Sequence, residues 1–180
     1  YKKTLREDFE YKCWYCNDSD LIRVRNYAID HFVPRNPDKN FPFSNPVPEN
    51  YYYNLVYSCS YCNLAKSNKW PTLDWKVPNN WKIWFIDPIE EDYANLFKRN
   101  EKWKIECNWV NPDLSQYIID ELKLWYPIHS LNWRLEKIIN LEEKVRNILE
   151  KQENEELKEI HYKILEVFHS LAIRIFKENE

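Results

Sequence analysis

The chain has 180 residues, 44% of them apolar and 31% charged, with a formal net charge of -3; that is enough for one ordinary domain, or for a small metal-organised module joined to a second core. The mild acidity excludes a protein that holds nucleic acid by bulk electrostatics alone. No apolar run approaches the ~20 residues needed to cross a bilayer, so a soluble, cytoplasmic protein is expected.

Residues 1 to 12 read as a short helix feeding into Cys13-Trp-Tyr-Cys16. Val24 to Ile29 is β-branched and aromatic and predicts a short strand, with Asp30 and His31 at its end and a restricted turn before Pro34. Five prolines between Pro34 and Asn50 predict an extended, irregular loop. Asn54 to Ser58 predicts a second strand, and from Ser60 the spacing becomes helical. On that helix Cys59 and Cys62 share one side, while Asn63 is turned about 100° away and lies one turn from Lys66. The order strand, loop, strand, helix defines a first module over residues 1–70.

Residues 71–110 read as a Trp/Pro-rich connector followed by a β-hairpin. Trp70, Trp75, Trp81 and Trp84 are expected to pack the module onto the remainder. The hairpin arms are Leu96 to Arg99 and Lys102 to Trp109, turning at Asn100-Glu101, with Trp103, Ile105, Cys107 and Trp109 on one face. In the helical C-terminal region, 111–180, Asn111-Pro112 is a capping residue followed by proline at the first helical position, and the helix should run to about Tyr126. Apolar stripes from Leu131 to Leu149 and from Leu157 to Ile175, parted by polar residues 151–154, predict a helical hairpin or a pair of docking helices. His129, His161 and His169 fall in these helices as bystanders. The chain has no glycine, so asparagine is expected where turns need left-handed backbone.

Four thiols in two Cys-x-x-Cys pairs, Cys13/Cys16 and Cys59/Cys62, have the spacing of a tetrahedral structural zinc site. Disulfides would need an oxidising compartment, and Cys107 reads as a buried free thiol. Asp30 offers a hard oxygen, Asn63 an amide carbonyl and His31 a base. Oxygen ligands that leave most positions to water and phosphate describe Mg²⁺, or Mn²⁺, rather than a second zinc, and the reaction inferred is phosphodiester hydrolysis. Charge places any phosphate-contacting face in the N-terminal half, because residues 1 to 82 carry 12 Lys+Arg against 9 Asp+Glu, whereas residues 83 to 180 carry 14 against 20.

In this stretch the sequence resembles the HNH endonuclease family, over about a third of the chain. Cys13-x-x-Cys16, Asp30-His31 followed by Pro34, the central Asn54, and Cys59-x-x-Cys62 running into Asn63-x-x-Lys66 carry the likeness; Asn63 stands where the family's last histidine would be, as in an HNN variant. The resemblance implies an α+β, zinc-clamped ββα-metal fold with His31 as general base and Asp30 and Asn63 as Mg²⁺ ligands. It further implies that Asn54 steadies the histidine-bearing loop, that Lys66 touches phosphate, and that the four cysteines hold zinc. It implies DNA as substrate, with RNA left open, in a bacterial defence or restriction-type setting. The C-terminal helices would mediate a homodimer or dock a partner subunit such as a defence-system ATPase. The rival readings are a zinc-containing nucleic-acid-binding module without catalysis, and an interaction subunit whose metal only staples the fold.

Overall fold

The computed structural model describes residues 1–21, 26–36, 46–72, 74–77, 85–86 and 93–178. Helix α1 (Lys2–Asp8) buries Leu5, and Phe9 just beyond it is buried too. The chain then enters a tight loop in which the Cys13 amide donates to the Asp18 carbonyl and the Asn17 amide to the Cys13 carbonyl, both at 2.8 Å. Strand β1 (Tyr27–His31) pairs antiparallel with β2 (Leu55–Cys59), placing Asp30 opposite Val56 and His31 opposite Leu55. Helix α2 (Ser60–Lys66) follows β2 without a loop. The β-loop-β-α order is therefore present, with shifted edges. Strand β1 includes Asp30 and His31 rather than ending before them, and β2 starts one residue late because Tyr52–Asn54 form a single 3₁₀ turn. Val24, at the expected start of the first strand, lies outside the described residues, as do Trp81 and Trp84.

The second hairpin is shorter than its alternation suggests: β3 (Phe97–Arg99) pairs with β4 (Ile105–Cys107). Trp103 adopts φ 64°, which ends extended backbone two residues before β4 begins. Of the expected stripe, Ile105 is buried, Cys107 is half-buried with its thiol 3.2 Å from the Gln116 amide oxygen, and Trp109 is 85% exposed.

Helix α3 (Pro112–Glu121) begins as expected, the Asn111 side chain accepting from the Leu114 amide. It stops short of Tyr126 because Lys123 turns left-handed at φ 54°, with the Leu124 amide closing back onto the Ile119 carbonyl at 2.9 Å. Pro127 instead opens α4 (Pro127–Leu149), which packs along α5 (Glu155–Glu178) as a helical hairpin broken at the expected polar residues.

One core cluster runs from Leu5 to Leu124 and contains the four paired cysteines, Trp70 and Phe85. Trp70 meets Phe32 edge-on at 5.4 Å, so this tryptophan is core. A second cluster of Ile128, Leu131, Leu135, Leu171 and Ile175 lies at the base of the α4–α5 hairpin. Among the described residues, left-handed backbone falls on Glu10, Tyr11, Asn17, Ser67, Trp103 and Lys123; a single asparagine is in that set. No helix there is long and apolar enough to cross a membrane.

Candidate metal centre and hydrolytic site

Three elements bring the cysteines together: the tight loop carries Cys13 and Cys16, β2 ends on Cys59, and the first turn of α2 carries Cys62. All four are buried and none is in a disulfide. Their sulfurs lie within 4.8 Å of one another, and Cys16 Sγ is 3.9 Å from Cys59 Sγ. Thiolates about 2.3 Å from a tetrahedral zinc lie about 3.8 Å apart, whereas a disulfide needs about 2.05 Å. Burial pushes the Cys16 and Cys62 thiols well up, so their thiolate forms call for a cation among them. Donor type, number and spacing all fit structural zinc.

Against this centre lies a buried polar cluster that sequence reasoning missed. His129 Nδ1 is 2.7 Å from Asp18 Oδ2, and the Arg99 guanidinium donates to Asp18 Oδ1 at 3.1 Å, to the Cys16 carbonyl at 3.0 Å and to the His129 carbonyl at 3.0 Å. Asp18 and His129 are almost wholly inaccessible. His129 is thus no bystander: it ties α4 to the loop that holds Cys13 and Cys16. Cys16, Asp18 and His129 offer metal-ligating atoms within 4.8 Å of one another. Arg99 already supplies the positive charge there, so the cluster reads as a packing joint. Residues 18, 99 and 129 come from three separate segments and carry no spacing signature.

At the other end of β1, Asn54 grips the chain just after His31. Its Oδ1 accepts from the Val33 amide at 2.8 Å and its Nδ2 donates to the Val33 carbonyl at 3.1 Å, while the Phe32 amide donates to the Asn54 carbonyl at 2.9 Å. His31 Nε2 lies 2.9 Å from the Glu49 carbonyl oxygen, and the Glu49 side chain pairs with Arg35. Both ends of the proline-rich loop are thereby pinned beside the imidazole.

Lys66 departs from expectation. Instead of facing a phosphate it is fully buried beneath β1, Nζ donating to the His31 carbonyl at 2.7 Å and lying 3.2 Å from Asp30 Oδ2. Burial lowers its pKa below the ordinary 10.5, with Asp30 countering. The same Asp30 oxygen accepts from the Tyr15 hydroxyl at 2.7 Å, and burial followed by the Asp30 charge pushes the Tyr15 phenol well up. Asn63 sits half-buried on α2. Among the described residues Asp30 belongs to no cluster of His, Cys, Asp and Glu ligands. The side chains thus assemble a centre for zinc, and a buried carboxylate already balanced by an ammonium where a hard cation was expected. Compared with protein-family models, with curated proteins and with solved structures, the chain matches none.

Proposed function

We propose that the chain is a zinc-stapled endonuclease of the HNH type that hydrolyses phosphodiester bonds, normally in DNA. The observation that carries the proposal is the 2.9 Å contact between His31 Nε2 and the Glu49 carbonyl. A carbonyl oxygen only accepts, so Nε2 carries a proton and, in the neutral ring, Nδ1 keeps its lone pair. Nδ1 is then a base able to take a proton from water attacking phosphorus. Asn54 is a positioning residue that fixes the backbone after His31, and Lys66 positions the end of β1 from below. Mg²⁺ or Mn²⁺ would be held by Asp30, through the oxygen not shared by Lys66 and Tyr15, and by the Asn63 amide. Such an ion would neutralise charge on the phosphoryl and leaving oxygens.

The second reading is a zinc-containing nucleic-acid-binding or interaction module without catalysis. The converged cysteines support a metal-stapled module directly, and the Lys66–Asp30 pair favours this alternative, since that carboxylate is partly neutralised already. Nicking of supercoiled plasmid in Mg²⁺ or Mn²⁺ separates the two. The nuclease reading expects cleavage that is lost in His31→Ala at unchanged zinc content. Wild-type protein that binds DNA but leaves it intact in either metal would establish the alternative.

A further inference from the structure

A cleft of about 660 Å³ lies between α1 and the β1–β2 sheet, apart from both the thiol centre and His31. Lys2, Lys3 and Arg6 line it from α1, facing Asn26, Tyr27 and Tyr57 on the sheet side. Among the described residues, Asp20 is the one carboxylate in the lining, and it is fully engaged. Arg6 holds it through Nε at 2.5 Å and a second nitrogen at 2.9 Å, and the Tyr57 hydroxyl donates to it at 2.5 Å. Three cations against one carboxylate leave the described part of the wall with an excess of two positive charges. Lys2 and Lys3 supply that excess; both are exposed, and neither forms an ion pair among the described residues.

The cleft also has an address relative to His31. Side chains alternate along a strand, so Tyr27 and His31, four apart on β1, share one face of the sheet. Four rises of about 3.3 Å part them by about 13 Å, the axial length of about four base pairs at about 3.4 Å each. The wall is firm: the Tyr27 and Tyr57 rings stack at 5.2 Å, and the Tyr27 hydroxyl donates to the Asp18 carbonyl. A cleft with two ammonium groups that no described carboxylate compensates suits a polyanion rather than a metal or an apolar ligand.

We propose that this cleft receives the phosphodiester backbone of duplex DNA flanking the bond presented to His31, with Lys2 and Lys3 as its phosphate contacts. The proposal rests on the nucleic-acid reading above. It gives a chain of net charge -3 a local surface on which a polyanion is held. Leu5 and Phe9 anchor α1 in the core, so both lysines can be changed without disturbing packing.

The test is fluorescence anisotropy of the full chain, in a His31→Ala background that prevents cleavage, with a short labelled DNA duplex titrated between about 50 and 200 mM salt. Lys2→Ala/Lys3→Ala is expected to weaken binding about tenfold at the low-salt end and to flatten the log–log salt slope by about 1.8, or about 0.9 for each lost phosphate contact. Lys102→Ala/Lys104→Ala, in the turn between β3 and β4, should leave affinity and slope unchanged. If wild-type affinity and slope persist without Lys2 and Lys3, or the control pair loses as much, the cleft assignment is overturned while the nuclease reading stands. A loss confined to duplex RNA of the same sequence would overturn the DNA assignment. A parent protein that binds neither duplex would overturn both the assignment and the reading beneath it.

Discussion

Lys66 and Asn54 have opposite structural economies. Lys66 carries a full charge out of water and is tolerated because the Asp30 carboxylate and the His31 carbonyl receive it. Removing one partner of such a pair leaves the other buried alone, which costs about 3–5 kcal/mol, whereas removing both charges together is far milder. Lys66→Met is therefore expected to lower the free energy of urea unfolding by about that amount, and Asp30→Asn/Lys66→Met to recover most of it. Asn54 works without charge, donating to and accepting from the one residue, Val33. Asn54→Ala removes two side-chain hydrogen bonds to the Val33 backbone, at about 1–3 kcal/mol. Because those groups lie two residues beyond His31, the nuclease reading expects plasmid nicking to fall further than the folded fraction, while zinc measured by mass spectrometry stays constant.

Helix α3 offers an alkaline test. Burial, with Glu121 adding to it, pushes the Tyr117 phenol up to about 12 from the ordinary 10. The folded value lies above the unfolded one, so this group's contribution to stability is complete below pH 10 and is lost as pH rises toward about 12. Melting temperature should decline across that window, and Tyr117→Phe should make the decline shallower. The start of the same helix was readable, since Asn111-Pro112 is a chemical cap; its end was not. Lys123 stops it and Trp103 truncates β4, both in left-handed backbone that a glycine would have advertised. Paired cysteines and helical stripes were legible because spacing alone encodes them. The burial of Lys66 was hidden, as a lysine one turn past Asn63 reads as solvated surface until Asp30 and the His31 carbonyl on β1 receive it. The Asp18–Arg99–His129 joint was hidden for a different reason, being assembled only by tertiary contact.

Across the whole molecule, four inert-looking thiols occupy the middle of the larger core. Four sulfurs too far apart for disulfides and too buried for water have little reason to converge without a cation. Native mass spectrometry is expected to find one zinc per 22.3 kDa chain, and stripping it with a chelator should abolish cooperative melting rather than merely lower its midpoint. Cys13→Ser should do the same in the presence of zinc. Full retention of a sharp melt after metal removal would rule out a structural role for the ion.

Because His129 leaves α4 to grip Asp18, whose backbone carbonyl holds the Cys13 amide, the far end of the chain and the sulfur cage are mechanically joined. Such joints act in both directions. With zinc in the cage, a force or a binding event that tugs on the long hairpin is expected to alter how quickly the ion escapes, and emptying the cage is expected to loosen the hairpin's foothold. The lifetime of the bound ion, followed with a chromogenic chelator, would then report from a distance on whatever takes hold of those helices.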